Sequence, residues 1–500
     1  MFESAELGHA VDDVTYAKQV KKLRGDLLDA QYDLLEDKTF PVIVLVNGVD
    51  GAGKGETVNV LNEWLDPRHV RSEAFGPPSE DEAARPPMWR FWTALPPKGK
   101  IGILFGNWYT QPILHRVMDE SNDSELAVAI DRIRQFEKLL IDDGAVLVKL
   151  WFHLSKKAQK KRLTTLEANK LTRWRVTKDD WKRYKHYDEF ATISERVLRE
   201  TSTGEAPWIV IEGADPNYRS LTAGRSLLNA IRARLSAAKA ERRTGPKANG
   251  AAKTSAPMLR AVDTADILKK LPFSERLSKE KYATKIVKAQ RDLNRLSRSP
   301  AMKRHSVVVV FEGMDAAGKG GAIRRVTQAL DARHYDVIPV AAPTDEERAH
   351  PYLWRFWRHI PRRGKFVLYD RSWYGRVLVE RVERFATDEA WTRAYREINE
   401  FEEELTSHGI VVVKLWLAIT QEEQLRRFKE REATRFKRYK ITAEDWRNRE
   451  KWDAYVLAAS DMIDRTSTSF APWTVVEAND KHVARVRVIE TICQRMRQAF

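Results

Sequence analysis

The chain has 500 residues, 43% hydrophobic and 10% aromatic, enough for two or three domains with cores of their own. Its one cysteine, Cys493, excludes a disulfide framework and a cysteine-based metal site, which fits a reducing, cytoplasmic setting. The net charge of +16 points to a polyanion: nucleic acid, an anionic membrane surface or a phosphate polymer. The acidic start MFESAELGHA lacks the apolar stretch of a secretory signal, and no apolar run approaches the ~18 residues of a membrane span.

Taken in chain order, the sequence repeats itself. NGVDGAGKG at 47–55 returns as EGMDAAGKG at 312–320, WRFW at 89–92 returns at 354–357, and KLW at 149–151 returns at 414–416. APW at 206–208 returns at 471–473, each time after Thr-Ser-Thr. The offset is 265 residues throughout, so two copies of one unit lie in tandem. The leading helices match at 266 (Tyr16 with Tyr282, Asp26 with Asp292), one residue having slipped before the first strand. Residues 235–262, rich in Ala, Lys, Gly and Ser, read as a flexible linker between an N-terminal unit, 1–234, and a C-terminal unit, 263–500.

In the C-terminal unit five β-type runs stand at 307–311, 337–341, 366–370, 410–419 and 473–478, with helical patterns between them. Near-continuous apolar strands alternating with helices imply a parallel sheet buried on both faces. The expected fold is α/β: tandem P-loop NTPase- or kinase-like three-layer domains. Each would hold a five-stranded parallel sheet, helices on both faces and a helical lid. The lid is expected from Gln421 to about Trp452, where residues 424–452 carry eleven Lys/Arg against five Asp/Glu. A charged hairpin of this kind is ordinarily a solvated face. Its position after the fourth strand, where nucleotide kinases carry a mobile lid, favours a lid.

The run Gly313 to Lys319 fits GxxxxGK between a strand and a helix. Backbone N–H groups there can point at phosphate oxygens, the helix N-terminus adds positive potential, and Lys319 adds a formal charge. Gly313, Gly318, Gly320 and Gly321 are the expected phosphate cradle. Gly320 stands where a Ser or Thr usually holds Mg²⁺, so Asp315 within the loop is the candidate ligand. Asp370 ends the apolar run FVLYD, the place of a Walker B aspartate, and Arg371 beside it can clamp an oxyanion. From the lid, Arg427, Arg431, Lys437, Arg438 and Lys440 are expected to close over the transferring group and exclude water. Residues 343–348, PTDEER, are candidates for the nucleotide site.

The N-terminal unit keeps Gly48, Asp50, Gly53 and Lys54 but has Phe105 for Asp370 and Gly106 for Arg371. In its lid Leu166 replaces Arg431 and Thr172 replaces Lys437. Phenylalanine cannot ligate a metal, and glycine cannot neutralise charge. The copy is therefore expected to be degenerate in catalysis while its loop stays open to a phosphate group.

Gly313-x-Asp315-x-Ala317-Gly318-Lys319, Trp354-Arg355, Asp370-Arg371-Ser372-Trp373-Tyr374 and the basic lid with Asp445-Trp446 resemble the polyphosphate kinase 2 family over nearly the whole chain. The tandem arrangement resembles that family's two-domain branch, the polyphosphate:AMP phosphotransferases. The resemblance implies Mg²⁺-dependent transfer of a terminal phosphoryl group from inorganic polyphosphate to AMP, giving ADP. It implies that Asp315 and Asp370 orient Mg²⁺, and that Lys319, Arg371 and the lid cations hold the phosphates. Pro343, Thr344, Glu347 and Arg355 would then lie at the nucleotide. An ATP-dependent nucleoside monophosphate kinase shares the loop, the aspartate and the lid, and is the competing expectation. A nucleic-acid-binding P-loop ATPase has only the positive charge in its favour, because no base-stacking motif is present. The intact second copy opposes a non-catalytic polyanion scaffold. No membrane or nucleic-acid partner is expected, and homo-oligomers remain open.

Overall fold

The computed structural model describes residues 1–244, 268, 270–435 and 441–500. In the N-terminal half the strands are β1 (Val42–Gly48), β2 (Val70–Ala74), β3 (Ile101–Phe105), β4 (Val146–His153) and β5 (Trp208–Glu212). In the C-terminal half they are β6 (Ser306–Gly313), β7 (Tyr335–Pro339), β8 (Phe366–Asp370), β9 (Ile410–Ala418) and β10 (Trp473–Glu477). Each set forms one five-stranded sheet, ordered β2-β3-β1-β4-β5 and β10-β9-β6-β8-β7, the same topology in both copies. The pairings are parallel, with β6 central between β8 and β9. The expected strands stand where the apolar runs placed them. The largest difference is at β7, which lies two residues earlier than 337–341 and ends at Pro339. Pro339 sits on the sheet edge, where a residue without an N–H is tolerated.

The central strands show why the sheet forms. β9 is buried at every position and β6 at all but its last, and both are valine-rich. The chain crosses from one side of β6 to the other after β8, which puts a crevice at the carboxyl ends of β6 and β8.

One polar knot is shared by both copies. Lys414 Nζ donates to Glu402 Oε2 at 2.6 Å and to the Thr466 carbonyl at 2.6 Å. Tyr374 and Trp373 both donate to Glu402 Oε1. Lys149, Glu137, Tyr109 and Trp108 repeat it in the first copy. The Trp-Tyr pair of the second motif is thus an anchor of the fold. Removing one partner of such a buried pair costs about 3–5 kcal/mol.

Two boundaries differ from expectation. The helix Pro216–Thr244 runs well into the stretch expected as linker, because its Ala, Lys, Glu and Arg are strong helix formers. The remainder of that stretch, 245–262, lies outside the described residues. The compact units also do not follow the repeat strictly. Residues 79–89 belong to the C-terminal unit and 345–351 to the N-terminal unit. Backbone bonds hold them there: Lys98 N donates to the Ala349 carbonyl, and Arg363 N to that of Ala84.

The lid stands as two helices, Gln421–Ala433 and Ala443–Glu450, leading into Trp452–Thr466. Lys437, Arg438 and Lys440 lie outside the described residues. No helix among the described residues is long and apolar enough to cross a membrane.

Candidate active site

β6 ends at Gly313, where an added Cβ would lie 2.4 Å from the Leu417 carbonyl oxygen, so only glycine fits. The loop then turns into the helix Lys319–Thr327, with Gly318 left-handed at its N-cap. Lys319 Nζ donates to the carbonyls of Gly313 at 2.7 Å and Met314 at 3.4 Å, which holds the ammonium over the loop.

Asp315 is the hub of this loop. Its carboxylate accepts from Arg371 Nη2 at 3.1 Å and from Asn448 Nδ2 at 2.9 Å, and its carbonyl accepts from Gln424 Nε2 at 3.0 Å. Burial alone would raise this carboxyl group. Lys319, the Asn448 hydrogen bond and Arg371 outweigh it, and Asp315 is held below its ordinary range, hence anionic. Asn448 and Gln424 both belong to the lid segment, so that segment reads the loop through neutral amides as well as cations.

Asp370 ends β8 opposite Phe311 of β6 and Pro339 of β7. Arg371 comes next in a left-handed conformation, φ 64°, with its N–H on the Phe311 carbonyl. Ala316 in the loop is also left-handed, φ 63°. Both positions carry strain that a side chain rarely accepts. Their counterparts in the first copy are Gly51 and Gly106, left-handed and free of that strain.

Asp315, Lys319, Asp370 and Arg371 line one cavity of about 870 Å³. Gly318, Gly320, Gly321, Arg427 and Arg431 line it too. So do four cations outside the motifs: Arg324 and Arg325 on the helix after the loop, and Lys481 and Arg485 on the last helix. No sequence pattern marks these four. They are assembled only by the packing of the last helix beside the P-loop helix.

Arg427, expected among the phosphate contacts, is 2% exposed. Its guanidinium donates to the carbonyls of Ala316, Ala317, Ala478 and Asn479 and to the Glu423 carboxylate. In this geometry it lines the cavity and braces the loop. Among the described residues, Pro343, Thr344, Glu347 and Arg355 do not line the cavity. Arg355 donates to the carbonyl of Ala341, which does line it, and Glu347 falls in the other unit.

A further carboxylate lies just outside the P-loop motif. Glu312, the residue before the loop, is 4% exposed and accepts from Ser372 Oγ at 2.8 Å. Burial raises its pKa, against the opposing pull of Lys319. The signal for it is in the repeat, because the first copy has Asn47 and Asn107 at these positions, bonded to each other at 3.1 Å.

The first copy also differs where its sequence looks intact. Glu56 replaces Gly321, and its carboxylate accepts from Arg162 and Arg175 at 2.9 Å each and pairs with Arg219. Arg219, where the second copy has Ala484, lies against the loop so closely that a Cβ on Gly53 would overlap its guanidinium. A carboxylate of the chain's own therefore stands at this helix N-terminus beside the loop expected to be open to phosphate. Asp50 pairs with Arg183 at 2.6 Å and with Lys54 at 3.7 Å.

Among the described residues no group of three or more His, Cys, Asp or Glu forms a ready-made metal cage. Mg²⁺ needs none. It is commonly held by one or two carboxylates together with substrate phosphates and water, and Asp315 and Asp370 facing one cavity fit that donor set.

A crevice at a sheet switch point, with a P-loop, a strand-end aspartate and a basic lid, defines a phosphoryl-transfer site of the P-loop kinase class. The profile of polyphosphate kinase 2 (PPK2) matches residues 10–239 and again 276–499, so the chain belongs to that family, with both halves as members. A polyphosphate:AMP phosphotransferase of Pseudomonas aeruginosa is 54% identical over all of this chain and 99% of its own length. One from Pseudomonas syringae pv. tomato is 53% identical with the same coverage. A crystal structure assigned to polyphosphate kinase 2 from Pseudomonas aeruginosa PA01 superposes with a TM-score of 0.89 at 53% identity, covering 100% of this chain and 99% of that one.

Proposed function

We propose that the chain is a Mg²⁺-dependent polyphosphate:AMP phosphotransferase, moving the terminal phosphoryl group of inorganic polyphosphate to AMP in the C-terminal unit alone. The observation that carries this reading is the 870 Å³ cavity, where Asp315 and Asp370 stand among Lys319 and several arginines. A polyphosphate is a run of negative charges, and a long cationic wall suits it better than a three-phosphate donor requires. Relatives named polyphosphate:AMP phosphotransferase over their full length support the same donor and acceptor.

The geometry supports the following roles. Loop amides, Lys319 and Arg371 hold the phosphates in line, while Asp315 stays anionic beside them. Asp315 and Asp370 would hold Mg²⁺, which would supply charge neutralisation at the transferring group. The lid carries Arg431 over the cavity and reaches Asp315 through Asn448, so closure and loop geometry are linked.

The test is a product assay with polyphosphate and Mg²⁺ against AMP, ADP, GMP and GDP, repeated with ATP as donor. ADP from AMP and polyphosphate is expected, with activity lost on chelation. Phosphorylation of AMP by ATP but not by polyphosphate would overturn the reading in favour of a nucleoside monophosphate kinase.

A further inference from the structure

Glu383 lies thirteen residues after Asp370, at the end of the short helix Val379–Val382. Its backbone is fixed there: Glu383 N donates to the Val379 carbonyl at 2.8 Å, and Arg384 turns the chain with φ 58°. Its side chain is 6% exposed, and the cations that reach it come from the lid segment. Lys451 Nζ donates to Glu383 Oε2 at 2.7 Å, and Arg447 Nε stands 3.7 Å from the same oxygen. The Tyr455 hydroxyl lies 3.4 Å from Glu383 Oε1 and 3.4 Å from Asn448 Oδ1.

Asn448 stands between those two cations, on the last turn of the helix Ala443–Glu450, and its Nδ2 donates to Asp315 Oδ2 at 2.9 Å. A tie between two helices needs only one ion pair. Here the two cations bracket the residue of that helix that reaches the loop carboxylate, and a hydroxyl lies between Glu383 and the same residue.

The first copy shows what the arrangement is for. Met118 stands at the position of Glu383, and Lys182, His186 and Phe190 at those of Arg447, Lys451 and Tyr455. Methionine offers no carboxylate. Arg183, in place of Asn448, still meets the loop aspartate, its Nε donating to Asp50 Oδ2 at 2.6 Å. A guanidinium and a carboxylate attract over distance and tolerate small displacements. A neutral amide holds a carboxylate by one short-range bond and has to be placed. The arginine reaches its loop without an anchor, while the asparagine depends on one.

We propose that Glu383 is a positioning residue for phosphoryl transfer: by holding Arg447 and Lys451 it sets the place of Asn448, and through Asn448 the orientation of the Asp315 carboxylate. Among the described residues Glu383 does not line the cavity, whereas Asp315 does, so Glu383 acts through these neighbours. This role rests on the transfer activity proposed above.

Glu383→Gln keeps the shape of the side chain and removes its charge. Its kcat is expected to fall about tenfold, with the KM for AMP within about twofold of the wild type. In the full chain without substrates, hydrogen–deuterium exchange at the backbone amides of Ala443–Glu450 is expected to run about tenfold faster. Asn448→Ala should lower kcat by a similar factor, and adding Glu383→Gln to it should cost less than about twofold more, because the effect has lost its route. If circular dichroism shows that Glu383→Gln does not fold, Lys451→Met, on the more exposed side of the same pair, takes its place throughout. Unchanged kcat, unchanged exchange, or losses that multiply in the double variant would overturn the proposal. A wild type that forms no ADP from polyphosphate and AMP would instead defeat the activity, and the exchange measurement would still decide whether Glu383 anchors the lid.

Discussion

The two P-loops of this chain share their glycines and lysine yet hold different things. In the second copy the helix after the loop begins Lys-Gly-Gly and opens on a large cationic cavity. In the first it begins Lys-Gly-Glu, and Glu56 lies among Arg162, Arg175 and Arg219. A matching motif therefore does not establish a matching site. The two loops differ in the residues just after the lysine and in those that the last helix of each unit packs against them.

The difference extends to backbone strain. Ala316 and Arg371 are left-handed non-glycine residues in the second copy, and both are glycine in the first. A left-handed side chain costs roughly 1–2 kcal/mol. It persists in the copy where Arg371 reaches Asp315, and it is relieved in the copy that has no such contact to make.

Four substitutions probe this contrast between the copies. Asp370→Asn should lower turnover by about a thousandfold while the circular dichroism spectrum is retained. Activity near that of the wild type would remove Asp370 from the chemistry. Arg371→Gly installs the residue of the first copy and should cost about a hundredfold in kcat. Its thermal midpoint should barely move, since relief of left-handed strain offsets the added freedom of the unfolded chain and the Arg371 side chain is 46% exposed.

Glu312→Gln mimics Asn47 and should lower kcat about tenfold with little change in the KM for AMP, because Glu312 acts through Ser372 and its neighbours. Its stability effect has a definite sign. A carboxyl group whose pKa is raised in the folded state destabilises that state as pH rises from the unfolded towards the folded value. The neutral amide of the variant does not ionise, so its Tm near neutral pH should equal or exceed that of the wild type. A fall in Tm with unchanged kcat would make Glu312 a fold residue only.

Lys54→Ala should change turnover by no more than about twofold if transfer runs in the C-terminal unit as proposed, since the first copy has Phe105 and Gly106 in place of the strand-end Asp and Arg. A collapse of activity in a folded protein would show that the two copies act jointly.

The parts legible in the sequence are those written in consecutive residues. The P-loop, Asp370-Arg371 and the strand–helix alternation of an α/β unit come from local pattern, and the repeat adds support for the first and the last. Glu312 has no such local signal, because its partner Ser372 is sixty residues away. Arg427 shows a different limit. Its charge is evident from the sequence, but only the fold reveals that, while it lines the cavity, its donors bond four carbonyls and a carboxylate. Lys481 and Arg485 illustrate a third, because a terminal helix carries no signal of which loop it will flank.

The Arg219–Glu56 pair also ties the two differences of the first copy to each other. Changing Glu56 to glycine, as in the second copy, leaves the buried Arg219 without its carboxylate partner, and changing Arg219 to alanine leaves a hollow beside Gly53. Each change alone is expected to lose stability, and neither puts an aspartate at Phe105. Converting the first copy into the second therefore takes several linked changes, and no one of them alone supplies the strand-end aspartate, the arginine and an unencumbered loop together.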